Sequence, residues 1–434
     1  MSGKNPRQIA LRVLQARQPS GEFTEILLEK ALEPSKTTIS GPDRSLCQEL
    51  VYGVVRQQAA LDWLISKKTD SRQQNPGIQN LLRLGLYQIF WLDRIPPHAA
   101  VHETVELAKR EGFGPKAGFI NAILRGYLRE FEATKKMLAD LKVSNPALGY
   151  SYPQWLFEKW RQRFGDERTR QLMEWNNTPP RIFARVNTLK TDAGQLLEKW
   201  RAEGVEYEFT RLNFLAALEN TVFELKIHPP LASLESFQNG WFYIQDPSTL
   251  LAPLELSPKA GETILDLCAA PGGKTTFIAQ QITNDGKIVA SDVAEDRLKL
   301  IQENCQRLGL TCVETIAVHA LAGTARFDRI LIDAPCSNTG VLRRRVDLRW
   351  RVSPEEILRL QKTQSELLAQ AAPMLKPGGT LVYSTCSLEP EENTAVIREF
   401  LKAHPAFKME RERELLPFSD NVDGAFVALL RSPQ

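Results

Sequence analysis

No stretch of the 434 residues approaches the roughly 18–20 uninterrupted apolar positions that a membrane span needs, so a membrane is not an expected partner. The opening residues, MSGKNPRQIALRVLQ, place charge inside their apolar pattern, unlike the apolar stretch of a secretory leader. Cysteine is scarce and scattered. Cys47, Cys268, Cys305, Cys312, Cys336 and Cys386 include no Cys-x-x-Cys pair, and the five histidines do not gather beside them. That spacing argues against a disulfide framework and against a zinc site, so no metal is expected and the cytoplasm is the expected location. Internal repeats and low-complexity segments are also missing. So is a strong charge of one sign: 55 basic against 52 acidic residues leave a formal net charge of +3, which permits a polyanionic partner without demanding one.

With 43% apolar and 25% charged residues, the composition is that of a soluble globular protein, and the length suggests more than one domain. Three regions can be separated. Residues 1–142 read as an all-α domain. Apolar positions recur at three and four residues through Leu46, Leu50 and Val54, then through Ile78, Leu82, Leu86 and Ile89. Pro96 and Pro97 break this run, and Gly112 and Gly114 close the helix that follows. Residues 143–240 mix an aromatic-rich helical start with strand-like runs such as RIFARV, YEFT and TVFELKI, which fits a small α/β linking module. In residues 241–434, short apolar runs (TILDLCAA, KIVASDV, RILIDAPC, GTLVYSTCS, GAFVALL) alternate with helical patterns. That rhythm predicts an α/β domain built on a parallel sheet, with ligands beyond the carboxyl ends of the strands.

The turn LDLCAAPGGKTT joins a strand to a helix, and Asp292 follows the next strand about twenty residues on. Glycines let a ligand approach the backbone, a helix N-terminus offers free amides, and a carboxylate in that register suits ribose hydroxyls. The loop nearly matches the phosphate-binding pattern G-x-x-x-x-G-K-[ST]. It departs where Cys268 replaces the first glycine and where Pro271 stiffens a turn that must wrap phosphates. An adenosine ligand without phosphates, S-adenosylmethionine, therefore suits Cys268, Ala269, Ala270, Pro271, Gly272, Gly273 and Lys274 better than a nucleotide. A nucleotide-hydrolysing reading is disfavoured at the same two positions, Cys268 and Pro271.

Two further strand-like runs end in thiols, Cys336 after Asp333-Ala-Pro and Cys386 after Ser-Thr. If both strands are parallel members of one sheet, both thiols emerge at the edge that carries the cofactor loop. Free cysteine is often an inert buried residue, the reading kept for Cys47, Cys305 and Cys312. A thiol at this rim has a chemical use. The 5-carbon of a pyrimidine becomes nucleophilic enough to take a methyl group from a sulfonium once a thiolate has added to the 6-carbon. A second group beside the adduct can then assist elimination, and Asp333 is placed to hydrogen-bond the cytosine ring or its exocyclic amine.

DLCAAPGGKT, DAPCSNTG and YSTCSLEPEEN, in this order and with QDPSTLL, resemble the RNA cytosine-5 methyltransferase family, a Rossmann-like group dependent on S-adenosylmethionine. The resemblance implies that Cys386 is the nucleophile, that Cys336 assists product release, and that the loop from Cys268 to Lys274, with Asp292 and Asp333, holds the cofactor. It departs after the third strand of the domain, where His319 and Ala320 stand in place of a further acid on the adenine side.

RIPPHAAVHETVELAKREGFGPKAGFINAILRGYLRE is similar to the all-helical NusB domain, an RNA-binding module. Its joining to the catalytic region resembles the bacterial Sun/Fmu type of 16S rRNA cytosine-5 methyltransferase. RNA, 16S rRNA first, is thus the implied partner. Another RNA such as tRNA, or an RNA-binding factor with an inactive methyltransferase domain, is the alternative. Arg343, Arg344, Arg345, Arg349 and Arg351, with Trp350 among them, are expected near the catalytic rim to hold phosphates and stack a base. The acidic LEPEEN is expected as a turn and the first turn of a helix, with no catalytic part for Glu389, Glu391 and Glu392.

Overall fold

A computed structural model describes residues 5–33, 39–218, 220–321 and 325–434. The chain forms two compact units, one comprising the chain up to Pro179 together with Leu342–Arg351, the other Pro180–Val341 together with Val352–Gln434.

The described part of the first unit is helical, and its helix starts follow local chemistry. Asn5 caps Pro6–Ser20 by accepting from Arg7 N, and Ser40 caps Gly41–Arg56 by accepting from Asp43 N. Pro97 opens the helix Pro97–Ala108, where a missing amide hydrogen costs nothing. The chain leaves that helix through a turn at Lys109–Phe113 in which Gly112 takes φ 86°. The apolar faces read from the sequence are the ones buried. Leu50 and Val54 of Gly41–Arg56, and Ile78, Leu82, Leu86 and Ile89 of Pro76–Trp91, all belong to one core.

The arginine-rich run overturns an expectation. Residues 342–351 are part of this first unit and are held by it, so they are not a free phosphate clamp. Asp347 is fully buried and accepts from Arg17 Nε (2.6 Å), Thr24 Oγ1 (2.8 Å) and the Thr24 amide. The Arg349 guanidinium, also fully buried, donates to Asn177 Oδ1 (2.7 Å), Asn176 O (3.1 Å) and Arg56 O (3.2 Å) and lies 4.4 Å from the Tyr152 ring. Trp350 Nε1 donates to Val55 O (3.0 Å), and Arg343 sits 4.2 Å from the Trp175 ring. Arg351 donates to Gly21 O (2.7 Å) and Arg345 pairs with Glu25. A guanidinium taken from water needs such partners, and here they come from residues far back in the chain.

The second unit contains two sheets. Strands β1 (Ile182–Val186), β2 (Glu206–Phe209), β3 (Val222–Ile227) and β4 (Phe242–Ile244) form an antiparallel sheet in the order β2-β3-β1-β4. Trp200 of the helix Ala193–Glu203 packs into its core. The larger sheet contains β5 (Thr263–Leu267), β6 (Lys287–Asp292), β7 (Val313–Ala317), β8 (Phe327–Asp333), β9 (Leu375–Thr385), β10 (Lys408–Leu415) and β11 (Ala425–Arg431). Their order is β10-β11-β9-β8-β5-β6-β7. Strands β5 to β9 pair in parallel, while β11 runs antiparallel to β9 and β10 antiparallel to β11, so the expected parallel sheet is a mostly parallel one.

Adjacent residues of β5 point to opposite faces, Ile264 into one apolar layer and Leu265 into the other, as a sheet covered on both sides requires. Strand β5 has β6 on one side and β8 on the other. The chain order reverses there, which makes the carboxyl ends of β5 and β8 the switch point. Among the described residues no helix is long and apolar enough to cross a membrane.

Candidate active site at the carboxyl ends of the parallel strands

Strand β5 runs directly into the predicted cofactor loop. Cys268 takes a left-handed conformation (φ 60°), the Ala270–Pro271 peptide is cis, and Gly272 at φ 99° turns the chain into the helix Gly273–Gln281. A Cβ at Gly272 would lie 3.3 Å from Ile301 Cγ2, so the glycine is needed both for its backbone angle and for its closeness to the next helix. The loop is pinned from β6: Ala269 N donates to Ser291 O (3.0 Å) and Ala270 N to Asp292 Oδ2 (3.0 Å). The helix begins at Gly273, so its first amides have no acceptor within the helix, a helix start that suits the expected adenosine ligand.

Asp292 is almost fully buried, and its Oδ1 also accepts from Val293 N (2.8 Å) and Arg297 (3.0 Å). Three of its roughly four acceptor positions are thus occupied. The carboxylate that the sequence assigns to a ribose holds the loop, its side chain fully buried among these donors. Beneath the loop, Asp266 Oδ2 accepts from Thr275 Oγ1 (2.6 Å), and burial pushes this carboxyl up to about 7. His319 lies exposed in the turn Val318–Ala320 after β7. Residues 322–324, further along the stretch where an adenine contact is sought, lie outside the described residues.

Lys274 turns away from the loop. Its ammonium pairs with Asp333 Oδ2 at 2.6 Å. Burial works against that charge, but the Asp333 carboxylate outweighs it and raises Lys274 above the ordinary lysine range. The pair joins the loop after β5 to the end of β8. Asp333 stands opposite Ser384 of β9, so the residues beyond these two strands come together: Cys336 Sγ lies 3.4 Å from Cys386 Sγ.

Cys386 is partly exposed, and its thiol donates to Asn338 Oδ1 (2.9 Å). Asn338 is left-handed (φ 57°) and donates through Nδ2 to Cys336 O (2.6 Å). Cys336 is buried. The neighbouring Cys386 thiol, burial and the Glu392 charge push its thiol well above the ordinary range. Cys47, Cys305 and Cys312 belong to the apolar cores or pack against them. Burial pushes the Cys47 and Cys305 thiols up to about 12, and burial with three nearby aspartates does the same for Cys268 in the loop.

The structure therefore brings Cys268 to Lys274, Asp292, Asp333, Cys336 and Cys386 to one rim. It also corrects the reading of LEPEEN. The helix begins only at Thr394, and Glu389 and Glu392 are buried before it. Asn338, Glu392 and Asn393 are site neighbours that sequence reasoning passed over, since an acid beyond a strand ordinarily faces water.

Three family models match the chain: 16S rRNA methyltransferase RsmB/F over residues 253–431, the NusB family over 4–129, and an RsmF/B-like methyltransferase ferredoxin-like domain over 152–216. A probable ribosomal RNA small subunit methyltransferase B from Bacillus subtilis (strain 168) is 36% identical, covering 99% of each chain. A ribosomal RNA small subunit methyltransferase B from Escherichia coli (strain SMS-3-5 / SECEC) is 35% identical, covering 98% of each. The solved structure of a methyltransferase homolog protein from Pyrococcus horikoshii is 32% identical with a TM-score of 0.57, covering 66% of this chain and 97% of its own.

Proposed function

Because the chain belongs to the 16S rRNA methyltransferase RsmB/F family, we propose that it transfers a methyl group from S-adenosylmethionine to the 5-carbon of a cytosine in 16S rRNA. The reaction passes through a covalent cysteine adduct at the 6-carbon. The observation that carries this reading is the meeting of two thiols, 3.4 Å apart, beside the Lys274–Asp333 pair and the loop after β5.

The cofactor supplies the methyl group, and the loop from Cys268 to Lys274, with Asp292 and Asp333, would hold it. Cys386, the more exposed thiol, gives up its proton and adds to the 6-carbon, which makes the 5-carbon a nucleophile. Asp333, kept in place by Lys274, accepts from the exocyclic amine and orients the base, and the Lys274 ammonium of this pair offsets the negative charge that thiolate addition puts on the ring. Cys336 stays a neutral thiol next to the bound sulfur. After methyl transfer the 5-proton passes to water, the bond between the 6-carbon and sulfur breaks, and the Cys336 thiol assists by hydrogen-bonding the departing Cys386 thiolate. A cytosine inside a helix must be unstacked to reach these groups. In this reading residues 1–142 serve RNA binding, 143–240 link, and 241–434 catalyse.

Bisulfite sequencing of rRNA from cells with and without the protein identifies the base. Protection of a single 16S cytosine that depends on the protein is expected, and protection in tRNA instead would reassign the substrate. Cys386→Ala abolishes methylation, whereas Cys336→Ala accumulates protein bound to RNA. Methylation at the wild-type rate by Cys386→Ala would overturn the mechanism.

A further inference from the structure

Glu392 is fully buried although it lies in a polar turn. Its carboxylate is the meeting point of four donors. Oε1 accepts from the Ser337 amide (2.8 Å) and Gln364 Nε2 (3.1 Å), and Oε2 accepts from Ser387 Oγ (2.5 Å) and from the Ser337 hydroxyl. Ser337 and Ser387 each stand one residue past a cysteine, Cys336 and Cys386. The residues before the cysteines are held by two neighbours of this carboxylate, Gln364 and Asn393. Gln364 also donates to Pro335 O (2.8 Å). Asn393, next to Glu392, accepts from Thr385 Oγ1 (2.6 Å) and donates to Ser387 O (2.9 Å). Both thiols are thus clamped on both sides.

We propose that Glu392 is a positioning residue for methyl transfer, setting the separation and direction of the two cysteine-bearing loops so that Cys386 can attack while Cys336 stands ready beside it. This rests on the covalent cysteine reading above. A buried carboxylate is an expensive way to fill space, and a core site needing only packing would carry an apolar residue. Only an acceptor-only group can take four donors from three separate segments at once. Its charge has a second effect, since it helps to hold Cys336 as a thiol, so that the two sulfurs do not compete for the base.

The test is Glu392→Gln, which keeps the volume but replaces one acceptor oxygen with a donor. A displacement on the order of 1 Å costs roughly 100-fold in rate. The expected result is a kcat lower by roughly that factor, with KM for S-adenosylmethionine and for RNA unchanged. Trapping of the protein on 5-fluorocytosine-substituted RNA should slow in parallel. A residue that only stabilised the fold would lower thermal stability and cofactor affinity and leave the kcat of the folded fraction alone.

Wild-type kcat and trapping in Glu392→Gln would overturn the proposal. Failure of the wild-type protein to trap on the same RNA would instead remove the covalent reading on which it rests. Should Glu392→Gln not fold, the Ser337→Ala/Ser387→Ala double variant keeps the carboxylate and removes both hydroxyl ties. The same loss of kcat is then expected, and an undiminished rate sinks the idea.

Discussion

Gly340 shows how little room the site has at the level of single atoms. Its amide donates to Cys386 O (2.9 Å), and a Cβ added there would lie 2.7 Å from that oxygen and 2.8 Å from Gly424 Cα. Both obstacles are backbone, so neither can rotate away. Gly340→Ala is expected to destabilise the fold by about 1–3 kcal/mol through overpacking and to slow methyl transfer by displacing Cys386. Urea unfolding and a methylation assay measure the two effects, and unchanged kcat would show that the rim can give. The residues with chemistry of their own were legible in the sequence. Cys336, Cys386, Asp333 and the loop sit in motifs whose residue types suit one reaction. Their supports were not legible, because Asn338, Glu392 and Asn393 act only through partners that the fold brings from other strands.

Among whole elements, legibility followed burial. Strands β5, β6, β8, β9 and β11 are internal to the sheet and read as apolar runs. Strands β7 and β10 lie at its two edges and do not. Strand β10, KMEREREL, is mostly charged and exposed, as edges that resist pairing with other chains often are. The helices Gly41–Arg56 and Pro76–Trp91 of the first unit were legible because the positions recurring at three and four residues, such as Leu50, Val54, Ile78 and Leu82, are the ones they bury. The run Leu342–Arg351 was misread because arginine is by default assigned to solvent, while the groups that receive it lie some 170 to 330 residues earlier. Asp347→Ala tests that element. Removing the carboxylate strands the Arg17 guanidinium, now largely buried, and the Thr24 amide. A loss of about 3–5 kcal/mol is expected, read by chemical denaturation, and a loss within experimental error would return the run to the surface.

For the whole molecule, the first unit is assembled from two separated stretches of chain. A fragment beginning at Pro180 keeps the candidate active site residues but leaves Val346, Arg349 and Trp350 without the core and acceptors they have in the full chain. In such a fragment the run is expected to be cut rapidly by trypsin at its arginines, whereas in the full chain it resists until global unfolding. Equal resistance in both would mean that the run holds its conformation unaided.

The same arrangement sets a timetable during synthesis. Chains usually complete their N-terminal domain first, while the rest is still being made. Here the helical unit that comes off the ribosome first lacks Asp347, Arg349 and Trp350 until Arg351 has emerged. At about 5–20 residues per second that is roughly 10–30 s after Pro179. The nascent first unit therefore waits, with the polar groups that receive this run open to water, and it closes only after Cys336 and the strand β8 that leads to it have been made.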